Sequence, residues 1–341
     1  MKSLYITRYG GPEVLEIRES PDPTIGGGEV LLEVSHAGLN FADIAARVGL
    51  YPDAPKPPAV VGYEVAGRVK SVGADVRSVR PGDAVLAVTQ FRGQANAVSV
   101  PESQVFNLPR GMTAEQGAAL PVNYLTAFHM LHVVARVKPF DKVLIHMAAG
   151  GVGLAAIQLC RLVEGVEIFG TASEAKHPML RDAGVAHPID YRKVDYAAEV
   201  RRLTGGKGIQ LVLDPLGGRD WEKGHNLLAP AGQLIAFGWS NMVSSQRRSW
   251  LHVLSELVSA KRYSPMSLME KNRTVSGVNM GRLWHLSDLL RGEMEQLLSL
   301  FAQKKISPHV DRVFPLSAGP DAHRYIQERR NVGKVLFDCA A

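Results

Sequence analysis

The segment Val143-Leu144-Ile145-His146-Met147-Ala148-Ala149-Gly150-Gly151-Val152-Gly153-Leu154 carries the strongest chemical signal in the chain. An apolar strand runs into a glycine turn and out into a helix. Gly150 and Gly151 let the backbone approach a pyrophosphate, and Gly153 lets the helix pack closely on the strand. With Val152 they open the helix, so a phosphate would meet exposed N–H groups and the positive end of the helix dipole. Ala148 stands where the usual G-x-G-x-x-G pattern has its first glycine. A glycine turn alone is equally a structural loop. The strand–turn–helix setting is what points to a dinucleotide. About twenty residues on, an NAD site usually places an acid against the ribose 2′-hydroxyl. Here the second strand ends at Gly170-Thr171-Ala172-Ser173, and Lys176 follows. A hydroxyl and a cation suit a 2′-phosphate, with Tyr191 able to border it, so NADPH is expected over NADH. The plainer alternative is a solvated helix start capped by Glu174.

These groups need a scaffold, and the chain alternates in the way one requires. Lys142–His146, Val166–Thr171, Gln210–Asp214 and Gln233–Gly238 read as strands, with helices over Gly153–Val163 and through Met179-Leu180. Continuous apolar strands separated by helices describe a parallel sheet covered on both faces. Residues 1 to about 120 read differently. Short β-rich runs (Glu29–Val34, Glu64–Val69, Ala84–Val88) lie between breakers such as Gly26-Gly27-Gly28 and Arg80-Pro81-Gly82-Asp83. They predict an antiparallel, barrel-like domain. Thr113 and Gln116 have capping-box spacing at the change of rhythm. After Trp284 the pattern is helix (287–304), strand (309–314), helix (321–330) and strand (334–338).

A length of 341 residues exceeds one typical domain and predicts two. With 46% hydrophobic and 21% charged residues the chain is globular rather than disordered. Its two cysteines, Cys160 and Cys339, exclude a disulfide scaffold and a four-thiolate metal site. Cys160 falls on the apolar side of its helix as a filler, and nothing near Cys339 activates a thiolate. The net charge of +6 is spread along the chain and is weak evidence for nucleic acid or an anionic surface. The N-terminus has no signal-peptide core, which gives the expectation of an intracellular, cytoplasmic protein.

Asn40-Phe41-Ala42-Asp43, Arg47-Val48-Gly49-Leu50-Tyr51-Pro52, Gly62-Tyr63-Glu64-Val65-Ala66-Gly67, Ala148–Gly153 and Gly333-Lys334-Val335 follow one another in the order of a known family. The chain resembles, over essentially its full length, the quinone oxidoreductase (zeta-crystallin) branch of the medium-chain dehydrogenases. Gly170–Ser173, His187–Tyr191, Asp214-Pro215-Leu216-Gly217-Gly218 and the segment from Asn241 to Gly277 look most like the vesicle amine transport protein homologues. The resemblance implies an α/β protein: a GroES-like β-barrel-type catalytic domain (1–120 and 283–341) and a Rossmann doubly wound parallel-sheet domain binding NADPH (121–282).

It also implies a reaction. Zinc-dependent relatives place a cysteine near Asn40 and a histidine where Tyr63 stands, and neither is present here, so no metal is expected. His129 and His132, one helical turn apart, read as packing. Hydride addition to a quinone or to the β-carbon of an enone spreads negative charge through a conjugated system. Hydrogen bonding and proton donation then suffice. By resemblance Asn40, Asp43, Tyr51, Asn123 and Thr126 border the nicotinamide, while Phe237, Gly238 and Gly333 line the cofactor cleft. Tyr51 is the candidate proton donor, or else only a wall of the pocket. Asn40 and Asp43 serve the site or pin a loop. Glu64 reads as a structural hydrogen-bonding group.

Two further readings concern partners. Arg247-Arg248, Lys261-Arg262 and Lys271–Arg273 make the 240–275 region basic, and it is also rich in aromatic residues and methionine. That fits a helical flap over the substrate cleft or a membrane-peripheral adaptor; no nucleic-acid motif is present. The strand-forming run Arg273–Val278 would end the cofactor sheet, and its open edge predicts a homodimer.

Overall fold

The computed structural model describes residues 1–243 and 249–340. Arg247 and Arg248 lie outside the described residues. Two compact units form: residues 1–125 with 280–340, and residues 126–243 with 249–279.

In the first unit the β-rich runs become a largely antiparallel seven-stranded sheet. Its spine is the eleven-residue strand Glu29–Leu39, which pairs with Glu64–Val72, Ala97–Pro101 and Lys334–Asp338. Val30, Leu32, Val65, Val85, Leu86, Leu336 and Phe337 are buried between its faces. The C-terminal strand thus enters the sheet begun by the N-terminal third, antiparallel to Glu29–Leu39 and parallel to Val310–Pro315. The capping box forms as its spacing predicts: Gln116 N–H donates to Thr113 Oγ1 at 3.2 Å, and Thr113 N–H to Gln116 Oε1 at 3.2 Å.

The second unit holds a six-stranded parallel sheet. Its order is His187–Asp190, Glu167–Ala172, Lys142–Ile145, Ile209–Asp214, Leu228–Ala236, Thr274–Gly277. In chain order this is 3-2-1-4-5-6, with the winding reversing between Lys142–Ile145 and Ile209–Asp214. Leu144, Phe169, Val212 and Leu234 are fully buried in its core, which is why these strands read as continuous apolar runs. Thr274–Gly277 ends the sheet among the described residues, as the sequence predicts.

Element ends differ from the sequence reading for local reasons. The helix after the glycine turn spans Gly151–Cys160 rather than Gly153–Val163, starting inside the turn. The fifth strand ends at Ala236, so Phe237 and Gly238 lie just beyond it, with Phe237 N–H donating to Asp214 O at 3.0 Å. No helix among the described residues is long and apolar enough to cross a membrane.

Candidate active site

The second unit brings its signals to one edge. All six strands run the same way, so the segments following Ile145, Ala172, Asp190, Asp214 and Ala236 share the C-terminal edge of the sheet. The glycine turn sits at the reversal of winding, where open α/β sheets bind ligands. Met147 adopts φ 52° to start the turn, and Gly150 caps the helix with φ −80° and ψ 176°. Gly151 and Val152 begin a ten-residue helix whose first amides have no helical acceptor. Gly153 packs so closely that a Cβ would lie 2.5 Å from Ala148 O and 2.6 Å from Met147 O. Below the turn His146 is buried and shares a 3.0 Å hydrogen bond with Thr171 Oγ1, which also accepts from Met147 N–H at 3.3 Å. Burial lowers the His146 pKa to about 4, so the imidazole is neutral at physiological pH.

Ser173 and Tyr191 are neighbours at that edge, each one residue past the paired positions Ala172 and Asp190. Ser173 opens a short helical turn through Lys176, and its side chain makes no capping bond. Glu174 forms an ion pair with Lys193 at 2.5 Å, and the N-cap position belongs to Ser173, so Glu174 does not cap this turn. The Arg192 guanidinium lies over the Tyr191 ring at 5.9 Å and adds a cation to the same corner. Asp214 Oδ1 accepts from Leu216 N–H at 2.6 Å and Gly217 N–H at 3.1 Å, folding the Pro215–Gly218 turn beside them. Burial raises the Asp214 carboxyl to about 7. An Asp closing an apolar strand before Pro-Leu-Gly-Gly is the sequence signal for that turn.

In the first unit Asn40 caps the helix Phe41–Arg47. Its N–H donates to Asp43 Oδ2 at 2.8 Å, and Gly62 N–H donates to Asp43 Oδ1 at 3.1 Å. The buried Asp43 carboxyl, raised to about 7 chiefly by desolvation, is thus held by backbone donors on both oxygens. This is the geometry of a loop pin. Asn40 Nδ2 donates to Glu64 Oε1 at 3.0 Å, and Lys334 Nζ donates to Asn40 Oδ1 at 2.6 Å. Lys334 also forms an ion pair with Glu64, both side chains being buried. Glu64 Oε2 accepts from Val122 N–H at 2.7 Å. Gly333, at φ 84° with a Cβ position only 2.7 Å from His309 O, lets the chain turn into the strand that carries Lys334. Sequence alone gives Lys334 no role, because in Gly333-Lys334-Val335 the glycine carries the local signal. A lysine opening the apolar run Val335-Leu336-Phe337 is the signal that a buried acid waits for it.

Tyr51 lies on the loop following this helix, where Arg282 grips Asp53 through two bonds of 2.5 and 3.1 Å. Its ring meets the buried Tyr63 edge-on, centroids 6.2 Å apart. Asn123 and Thr126 are both buried on the helix Pro121–Phe128, Asn123 in the first unit and Thr126 in the second. Phe237 and Gly238 belong to the second unit and Gly333 to the first. Among the described residues no three His, Cys, Asp or Glu side chains are grouped to hold a metal ion.

Residues 26–128 match the family described as alcohol dehydrogenase GroES-like domain, and residues 183–336 the one described as zinc-binding dehydrogenase. With the 3-2-1-4-5-6 sheet and its glycine turn, they define a protein of the medium-chain dehydrogenase type. The chain is 40% identical over 339 residues to the human synaptic vesicle membrane protein VAT-1 homolog, covering 99% of this chain and 86% of that protein. The crystal structure of human synaptic vesicle membrane protein VAT-1 homolog-like protein matches with TM-score 0.86 and 33% identity, over 99% of this chain and 98% of that one. Escherichia coli quinone oxidoreductase, solved in complex with NADPH, matches with TM-score 0.86 and 27% identity, over 99% and 100%. The chain therefore belongs to the VAT-1 homolog family, within the quinone oxidoreductase branch of the medium-chain dehydrogenases.

Proposed function

We propose that the protein is an NADPH-dependent reductase of quinones or α,β-unsaturated carbonyls, acting as a homodimer. The observation that carries this reading is the glycine turn at the sheet's reversal point, with Ser173 and Tyr191 at the adjoining strand ends, Lys176 in the turn after Ser173, and Glu174 and Asp190 engaged with Lys193 and Arg192 N–H. NADPH, when bound, supplies the hydride. The amides of Gly151 and Val152 would hold its pyrophosphate, with Gly150, whose own N–H closes the turn on Met147 O at 2.8 Å, leaving room for it; Ser173, Lys176 and Tyr191 would hold its 2′-phosphate. Asn40, Asn123 and Thr126 would border the nicotinamide, with Phe237, Gly238 and Gly333 along the cofactor. The Tyr51 hydroxyl would hydrogen-bond the acceptor's oxygen and give it a proton as charge develops there. Asp43, with both oxygens occupied by backbone amides, is assigned to holding its loop and not to proton transfer. The open Thr274–Gly277 edge is where a second copy would add its own strand.

NADPH oxidation with 1,2-naphthoquinone and with an enone tests the activity. Lys176→Ala is expected to weaken NADPH by about ten- to a hundredfold, the worth of one charge-assisted hydrogen bond, while changing NADH affinity less than twofold. Equal losses for both cofactors would remove the 2′-phosphate assignment.

A second reading has its own observation. The helices Trp250–Ser259 and Pro265–Lys271 expose Trp250, Leu251, Leu254, Val258, Met266 and Met269, with Leu251 83% and Val258 80% accessible. Lys261 and Arg262 lie between them. An apolar face flanked by cations suits the surface of an anionic bilayer. If it acts there, liposomes containing phosphatidylserine will float the wild type, and Leu251→Asp/Val258→Asp will stay behind with cofactor binding unchanged. Absence of flotation by the wild type removes this reading.

A further inference from the structure

Tyr63 stands directly behind the candidate proton donor and has no role in the reading above. Its side chain is buried, and its hydroxyl forms no hydrogen bond in this structure. Leaving a phenol in that condition costs about 1–3 kcal/mol, so a plain core position would favour phenylalanine. The ring is fixed from three sides. Tyr51 meets it edge-on at 75°, Phe91 packs at 5.3 Å, and the Tyr63 carbonyl accepts from Thr89 N–H at 2.8 Å. One residue earlier, Gly62 N–H is anchored on Asp43. Tyr63 can swing its hydroxyl hydrogen but not its ring, and the phenol beside it is Tyr51.

We propose that Tyr63 is a positioning residue: its hydroxyl donates to the Tyr51 oxygen when Tyr51 passes its proton to the acceptor, aligning that phenol and stabilising the charge left on it. The proposal rests on the reductase reading. The balance is simple. Hydride from NADPH adds to the β-carbon or quinone ring, and the π electron pair moves to the carbonyl oxygen. The Tyr51 O–H bond then breaks, its proton joining that oxygen, and water returns a proton to Tyr51 afterwards. Tyr63 keeps its own proton throughout and only shares it. Burial, with the charges of Asp53 and Asp43, raises the Tyr51 pKa, while the neighbouring Tyr63 hydroxyl and Arg282 lower it. Hydrogen bonds of this kind are often open in a resting site and close when substrate arrives.

Tyr63→Phe removes the hydroxyl and keeps both ring contacts, so the fold should be retained. Expected are a roughly tenfold lower kcat with quinone or enone, unchanged KM for acceptor and NADPH, and no further loss when Tyr63→Phe is added to Tyr51→Phe. In ζ-carbon-13 tyrosine-labelled protein saturated with NADP+ and the quinone, where no turnover occurs, the Tyr51 resonance (the one missing in Tyr51→Phe) should move in Tyr63→Phe. A wild type that turns over beside a Tyr63→Phe variant of equal kcat would overturn the proposal, as would an equal loss in the Tyr51→Phe background. A wild type that reduces no acceptor overturns the reductase reading instead; the resonance then decides the Tyr63–Tyr51 bond, and an unmoved signal rejects it.

Discussion

Lys334→Met lowers stability by about 3–5 kcal/mol, the cost of stripping a buried carboxylate of its counter-charge. Methionine fills nearly the same space, so the loss is electrical rather than steric. Lys334 and Glu64 are both buried, and removing the ammonium leaves Glu64 with Asn40 Nδ2 and Val122 N–H as its remaining donors. Asn40 Oδ1 loses its donor as well. Three distant stretches (the Asn40 helix start, the Glu64 strand and the C-terminal strand) lose their common tie within the first unit. The measurement is thermal or urea unfolding, with the midpoint falling by about 10 °C at the usual slope of a few degrees per kcal/mol. Adding Glu64→Gln removes the stranded charge and keeps an acceptor for Asn40, so the double variant should regain more than half of the loss. If Lys334→Met costs under about 1 kcal/mol, the pair is solvated enough to be ordinary and does not bind these segments together.

Much of this molecule was legible from sequence, and the reason is periodicity. The strands of the second unit announce themselves because a parallel sheet buried on both faces demands unbroken apolar runs. The glycine turn shows because a phosphate cradle and a close helix crossing each exclude a side chain. Local spacing also gave the Thr113–Gln116 cap. What did not show were pairings across long separations. Nothing near Lys334 in the chain names Glu64, 270 residues earlier, and nothing near Tyr51 names Tyr63 as its neighbour. Asp43 illustrates the limit. Its type and place allowed chemistry or structure, and only the two backbone donors on its carboxylate weigh for the second. Family resemblance alone supplied the residues proposed for the nicotinamide side, which no local pattern distinguishes from ordinary polar side chains.

Gly153→Ala is the second large effect, and its partner Gly150→Ala makes it informative. At Gly153 the new methyl carbon would lie 2.5–2.7 Å from the backbone of Met147 and Ala148. Those atoms begin the turn and cannot rotate away as a side chain would. Either the helix Gly151–Cys160 lifts from the Lys142–Ile145 strand or the turn itself opens. Ala155, Ala156, Ile157 and Leu159 of this helix are all fully buried, so lifting it exposes core and costs about 1–3 kcal/mol. The first-turn amides move with the helix, and NADPH affinity should fall about a hundredfold or more as their common aim is lost. At Gly150 the situation is different. Its φ of −80° suits any residue, and a methyl would meet only Met147 O at 3.2 Å. Gly150→Ala should therefore keep its melting temperature within about 2 °C while still weakening NADPH, because the methyl occupies space beside the cradle. Calorimetric titration with NADPH beside thermal melts separates the two roles: close packing at Gly153, open approach at Gly150. Should both variants melt together and bind alike, the turn would be a plain connection between strand and helix, and the cofactor would have to be sought elsewhere on the sheet.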